Sequence, residues 1–273
     1  MNRGPDKAAL EVSEFKNREA GDITLNAFVL TIETSKGPRR QHAERELEKM
    51  QLKSEFMNGF DKNDPSILDI YSAGLNLLYH KRPLTMSEVA TYAGHRLIWQ
   101  RIVDCGADHA LVLEDDFHVP DKNRFLKAIS DCLSFRERWD IVKFFDFKPK
   151  SVIQEDKFFG TRVVAYKYPA SGAVAYIINR YAAEKLLKRR KIYRPIDEDL
   201  SNMWEFSIRI WSTSPNLVEE VSEELGGSLL EADRLSRKTK RNIGRSLWGN
   251  FLQGWKMLRA RLYRRRMWVC RDS

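Results

Sequence analysis

Ala110-Leu111-Val112-Leu113-Glu114-Asp115-Asp116-Phe117-His118-Val119 is a short apolar run that meets three consecutive acids. Leu111, Val112 and Leu113 read as a buried strand. Aspartate is depleted in strand interiors and seldom buried without a partner. Glu114, Asp115 and Asp116 therefore belong at the strand's carboxyl end, where a sheet opens to solvent. Carboxylates gathered there repel one another, and a divalent cation relieves the repulsion. Mg²⁺ or Mn²⁺ takes carboxylate oxygens and leaves positions for water and substrate phosphates. One reading of these ten residues is a metal and nucleotide-phosphate site; the other is a strand that ends in a solvated acidic turn.

Outward from this strand, apolar runs alternate with helical patterns. Leu25 to Ile32 suits a central strand, Ser35-Lys36-Gly37-Pro38 is turn chemistry, and Arg39 to Met50 is rich in helix formers. Phe56 to Asp64 supplies a second strand and a loop. Thr85 or Ser87 can cap a helix with Glu88 in reach of a capping box, and Ala90, Ala93, Leu97, Ile98 and Ile102 follow at helical spacing. Beyond the acidic strand come a helix from Asn123 to Leu133, a strand from Trp139 to Phe147, strands at Val163–Tyr168 and Ala173–Ile178, and a helix capped by Asn179. This order predicts an α/β fold with a mainly parallel sheet flanked by helices, whose ligands sit beyond the carboxyl ends of the strands. Neither a phosphate-cradling G-x-x-x-x-G-K, a G-x-G-x-x-G nor a G-x-S-x-G occurs, which disfavours P-loop, dinucleotide and serine-hydrolase chemistry.

The chain has 273 residues, 42 % hydrophobic and 31 % charged, ordinary values for a globular protein. Its three cysteines follow no zinc or disulfide spacing, which fits a reducing compartment. Residues 1–22 have no apolar core of a secretory signal and read as a leader, poorly ordered or helical. No stretch approaches the ~18 apolar residues of a membrane span. The net charge of +9 is local: thirteen Lys and Arg residues lie between Arg234 and Arg271 with no acid among them, so the remainder is slightly acidic.

These residues, taken in order, resemble glycosyltransferase family 25, which includes bacterial lipooligosaccharide and collagen galactosyltransferases. The resemblance runs through the Ala27–Ile32 strand with Arg39-Arg40 behind it, then Leu84-Thr85-x-x-Glu88, His95, Trp99 and the Leu113-Glu114-Asp115-Asp116 motif. It continues in Gly172-Ala173-Val174-Ala175-Tyr176, Ala182-Ala183-Glu184-Lys185-Leu186, Pro195-Ile196-Asp197 and Pro215-Asn216-Leu217-Val218. It covers about residues 25 to 225. The family's Gly-Glu-Ile-Gly-Cys reads Ser87-Glu88-Val89-Ala90-Thr91 here, and its Ser-His reads Gly94-His95. The resemblance implies a GT-A type, Rossmann-like domain over residues 23–230 and inverting, metal-dependent transfer of a hexose from a nucleotide sugar, usually UDP-galactose.

In that reaction Glu114 and Asp116 are the expected ligands of Mn²⁺ or Mg²⁺, and Arg39, Arg40, His95, Glu114, Asp115 and Gly172 the expected contacts to the nucleotide sugar. Inversion needs a base on the acceptor hydroxyl, for which Asp197 is the first candidate and Asp199 and Asp146 the alternatives. Each residue also has a plainer reading: His95 as a structural hydrogen-bonding residue, Arg39 and Arg40 as solvated charges opening a helix, Gly172 as a turn residue. The acceptor implied is a lipopolysaccharide, lipooligosaccharide or related glycan. The rival reading is a catalytically degenerate GT-A-like binding module whose basic tail binds membrane or nucleic acid.

The tail, residues 231–273, repeats Trp248, Phe251, Leu252, Trp255, Leu258 and Leu262 at helical spacing among Lys256, Arg261, Arg264 and Arg265. An apolar stripe containing Trp on a basic helix is the pattern of interfacial helices. It predicts docking on an anionic membrane surface rather than nucleic acid, and a cytoplasmic protein peripheral to the inner face of the membrane. The alternative is that the stripe packs back on the globular domain.

Overall fold

The computed structural model describes residues 25–227 and 243–269. The expected leader, residues 1–22, and the basic residues Arg234 to Arg241 lie outside the described residues.

β1 (Asn26–Thr31) leads into α1 (Pro38–Met50), which opens on a proline in its first turn and ends at Gln51 in the left-handed conformation. β2 (Ser54–Asn58) follows, then the short α2 (Ser66–Ile70) and α3 (Ala73–Tyr79) and the long α4 (Met86–Asp104). The expected capping box opens α4: Thr85 accepts from the Glu88 amide, and Glu88 accepts from the Thr85 amide. Next come β3 (His109–Glu114), β4 (Phe117–His118) and α5 (Lys122–Ser134), which Asp121 caps.

After α5 the chain departs from the expected alternation. β5 (Ile141–Lys143), β6 (Val152–Phe158), β7 (Thr161–Tyr166) and β8 (Ala175–Asn179) follow one another with no α-helix between them. The strand expected over Trp139–Phe147 is cut short because Lys143 Nζ and Asp146 Oδ1 form a buried ion pair at 2.5 Å. Residues three apart in an extended strand point to opposite faces, so this pair requires the backbone to turn. β6 and β7 form a hairpin through Phe159 and Gly160, both at positive φ as a two-residue turn demands. The chain closes with α6 (Arg180–Leu187), α7 (Ile196–Ser201), β9 (Ile210–Thr213), β10 (Glu219–Glu220) and α8 (Ile243–Val269).

The main sheet has the order β2-β1-β3-β8-β5-β9-β7-β6 and is flanked by helices as expected, with antiparallel strands among the parallel ones. β1 pairs parallel with β2 and β3, and β5 with β9, whereas β8 runs antiparallel to both β3 and β5. β8 is inserted between β3 and β5 and runs against both, and β7 runs against β9 and β6, so parallel and antiparallel pairings occur in the one sheet. Both faces are covered. Ala27, Val29, Leu111, Leu113 and Ile177 point into one core, while Phe28, Leu30, Val112, Tyr176 and Ile178 point into the other, beneath α4, α6 and α7. Period-two burial on both faces is what makes these strands read as continuous apolar runs. Gly94 brings α4 close to β1, since a Cβ there would stand 2.6 Å from Leu30 Cδ1.

His80, which caps the carboxyl end of α3, is buried with Nε2 unpaired. Burial pushes its pKa down to about 4, against the opposing pull of Glu198. An unfolded histidine titrates near 6.5, so between about pH 6.5 and 4 the unfolded chain binds the extra proton and the folded state loses up to about 3 kcal/mol. Urea unfolding followed from pH 7 to 4 will show His80→Gln losing less stability than the wild type across that window. Parallel curves would remove His80 as a contributor.

Candidate active site

The carboxyl ends of β1, β2, β3 and β5 and the amino end of β8 meet at one edge of the sheet. There a cleft of about 870 Å³ opens, lined by Arg39, Glu114, Asp115, Asp116, Gly172 and Asp197 among others. The acids leave β3 in three different environments.

Asp115 Oδ2 accepts from Thr31 Oγ1 at 2.7 Å, and Oδ1 accepts from Arg39 Nη1 at 2.9 Å. The other arm of the same guanidinium, Nη2, donates to Asp116 Oδ2 at 3.1 Å. One arginine thus bridges two carboxylates, and it is held for the task because Glu33 Oε2 accepts from its backbone amide at 2.9 Å. Burial pushes the Asp115 carboxyl above its ordinary range in spite of Thr31 and Arg39. Asp116 is more extreme: burial, with Glu114 nearby and Arg39 opposing, pushes it up to about 8.

Glu114 Oε1 lies 3.1 Å from His95 Nε2; His95 Nδ1 lies 2.9 Å from the Tyr176 hydroxyl, which accepts from Trp99 Nε1 at 3.0 Å. The carboxylate only accepts, so Nε2 is the nitrogen that donates to Glu114, and in a neutral ring Nδ1 then accepts from the tyrosine hydroxyl. His95 is completely buried and does not line the cleft. It stands behind Glu114, off the cleft on which its contact with the nucleotide sugar was expected.

Arg40 also stands off the cleft. Its guanidinium pairs with Glu44 at 3.1 Å and lies 3.9 Å over the Phe56 ring, away from the cleft. Consecutive residues on a helix diverge by about 100°, so α1 can turn only one of the arginine pair toward β3. Gly172 does line the cleft, at φ +114°, where a Cβ would press on the Phe145 and Phe147 rings at 3.3–3.4 Å. Only glycine holds that backbone without strain.

Of the three carboxylates considered for the base, Asp197 alone lines the cleft. Its Oδ1 accepts from the Glu198 amide at 2.9 Å. Asp199 points inward and is held by Tyr92, Arg189 and Arg194. Burial opposes the charge of Arg189, yet Asp199 and Glu205 outweigh it and hold the guanidinium above its ordinary value. Asp146 is buried against Lys143.

Sequence reasoning missed a second wall. The segment after Val218 folds back over the acids: the Val221 amide donates to Asp116 O at 2.9 Å, β10 pairs with β4, and Glu220, Ser222 and Glu223 line the cleft. Lys62, Lys148 and Lys150 stand elsewhere on the rim. The lysines of Phe147-Lys148-Pro149-Lys150, directly after the acidic Asp146, were the available signal.

The donor set can hold a cation that brings most of its own ligands. Asp116 Oδ1 is buried and accepts no hydrogen bond, an environment that favours either a proton or a hard cation. Among the described residues no three His, Cys, Asp or Glu side chains converge as a closed metal cage. Mg²⁺ and similar ions commonly take one or two carboxylates and complete their shell with water and substrate phosphates.

The sequence profile of glycosyltransferase family 25 (LPS biosynthesis protein) matches residues 25–200. A glycosyltransferase 25 family member of Aedes aegypti is 27 % identical over 61 % of this chain and 29 % of its own. Procollagen galactosyltransferase 1 of Danio rerio is 26 % identical over 66 % of this chain and 34 % of its own. An inactive glycosyltransferase 25 family member 3 of Mus musculus is 25 % identical over 65 % of this chain and 32 % of its own. The chain thus spans about a third of the length of these relatives, and the matched region contains β1, the acidic end of β3, Gly172 and Asp197. The chain belongs to glycosyltransferase family 25.

Proposed function

We propose that this chain is an inverting, metal-dependent GT-A type glycosyltransferase that moves a hexose, galactose from UDP-galactose, onto a hydroxyl of a lipopolysaccharide, lipooligosaccharide or related glycan at the inner face of the cytoplasmic membrane. The observation that carries the reading is the placing of the Arg39–Asp115–Asp116 cluster and Asp197 on one cleft of a family 25 chain.

Asp116 Oδ1 and Glu114 would hold the cation. Mn²⁺ or Mg²⁺, when bound, supplies positive charge to a departing nucleoside diphosphate. Arg39 faces the same volume and would bind the diphosphate while offsetting the repulsion between Asp115 and Asp116, which it bridges. Gly172 lets the sugar approach the backbone. Asp197, on the opposite element, would accept the proton of the acceptor hydroxyl as it attacks the anomeric carbon from the face away from the leaving group.

Galactose is supported by a procollagen galactosyltransferase among the relatives, and the rival reading, a degenerate binding module, by a relative named inactive at similar identity. Release of UDP from UDP-galactose with and without Mn²⁺ separates them. The expected result is slow metal-dependent hydrolysis that Asp116→Ala reduces by about 100-fold or more while the fold is retained, as loss of a principal charge-stabilising group predicts. Donor binding with no turnover across a panel of glycan acceptors would support the binding module.

The two neighbouring acids on α7 give a sharper contrast. Asp197→Asn should slow transfer while leaving donor affinity and unfolding unchanged, because a base acts only on the reacting hydroxyl. Asp199→Asn should instead destabilise the fold by about 3 kcal/mol, since it removes the fully buried one of the two carboxylates that neutralise Arg189 and Arg194 and leaves Glu205 alone against both guanidinium groups. Kinetics and denaturant melts of both variants check this, and equal loss of donor binding in Asp197→Asn would make that residue a binding group.

A further inference from the structure

α8 lies against the globular domain through polar contacts on one face. Lys256 Nζ donates to Glu198 Oε1 at 3.0 Å, the Tyr263 hydroxyl to Ile208 O at 3.2 Å, and Trp248 Nε1 to Leu78 O at 2.8 Å. Ala260 is fully buried on that side. Of the expected stripe, Leu252 is half-buried and Trp248 reaches the domain, whereas Phe251, Trp255, Leu258 and Leu262, joined by Leu247, recur every three or four positions and are all exposed, Phe251 by 58 % and Trp255 by 50 %. At 100° per residue these five fall on one side of the helix and Lys256, Ala260 and Tyr263 on another. The helix therefore docks with most of its stripe left exposed.

The stripe continues onto the domain. Trp248, stacked on Phe251 with ring centroids 5.2 Å apart, sits beside Leu78, and Leu77 and Leu78 of α3 are both more than half exposed. An exposed apolar surface of this kind marks an interaction site. Its occupant is selected by charge. The exposed Arg259 lies 5.4 Å over the Trp255 ring, Arg261 is exposed, and no acid occurs from Arg234 to Arg271. A second copy would bring the same thirteen cations, so self-association through this face is opposed by repulsion. Nucleic acid would meet the cations but leave the leucines and phenylalanine unused.

We propose that α8 and the end of α3 form one surface that docks this chain on an anionic phospholipid membrane. The Trp and Phe rings enter the headgroup region, the leucines reach the acyl boundary, and the flanking arginines meet lipid phosphates. The same docking fixes the orientation of the cleft: Lys256 holds Glu198, the neighbour of Asp197 on α7, so the wall that carries Asp197 is the one tied to the membrane-bound helix. The proposal does not depend on sugar transfer.

The test is cosedimentation of the full chain with vesicles of phosphatidylcholine alone or with about 30 % phosphatidylglycerol, and with Phe251→Glu/Trp255→Glu as the variant. Both substituted side chains are half-exposed and off the docked face, so an unchanged thermal melt is expected and checks the fold. The wild type should bind the anionic vesicles with a blue shift of tryptophan fluorescence, and the variant should bind about ten-fold or more weakly. Equal binding of wild type and variant, equal binding to neutral vesicles, a dimer in light scattering that the variant abolishes, or retention by duplex DNA without retention by vesicles would each overturn the proposal.

Discussion

Three acids can stay together at the end of one strand only if their mutual repulsion and their loss of water are both answered, and in this chain each is answered differently. Asp115 is satisfied from β1 by Thr31 and from α1 by Arg39. Glu114 is satisfied from α4 through His95, with Tyr176 of β8 and Trp99 behind it. Asp116 receives half of what a carboxylate needs, one guanidinium arm on one oxygen, and its other oxygen is left buried and bare. A site that is incomplete by one oxygen is poised for a positive ligand, whether a proton or a metal ion, and that is why burial can hold the group so far above its usual range.

The answers tie the cleft to one helix. Tyr92, His95 and Trp99 stand three or four residues apart on α4 and so share a face. Tyr92 donates to Asp199, which anchors α7, while His95 meets Glu114 at the end of β3. Asp197 and the acidic triplet, more than eighty residues apart in sequence, are thus referred to the same rigid element. A single helix sets the distance between the two walls of the cleft, and Gly94 on it allows the close approach to Leu30 that completes the seating. Preorganisation of this kind suits a reaction whose charges must meet fixed partners.

What was legible in the sequence was local. The capping box of Thr85 and Glu88, the proline start of α1 and the exit of Glu114–Asp116 from β3 all depend on neighbours within four residues. What was not legible required partners far along the chain. Nothing near His95 announces that its ring is enclosed between Glu114 and Tyr176, and nothing in Arg39-Arg40 says which of the two turns inward. The direction of β8 is likewise invisible in an apolar run that is buried on both faces, because period and composition are the same for parallel and antiparallel strands. The fold-back of residues 219–223 onto Asp116 is carried by backbone pairing, which leaves almost no mark on composition.

The tail helix inverts the usual arrangement of a terminal helix. A helix that packs on a domain ordinarily buries its apolar stripe, at roughly 25 cal/mol per Å² of surface removed from water. α8 places Lys256 at the contact and leaves Trp255 beside it in solvent. Its polar contacts include two hydrogen bonds to backbone carbonyls and one ion pair, worth about 1 kcal/mol each in net terms, and Ala260 and Tyr263 add packing on the same side, while the larger apolar side chains stay in contact with water. The stronger driving force on this helix therefore points outward. The inner contacts only need to fix its orientation, which the pairing of Lys256 with Glu198 does within one residue of Asp197.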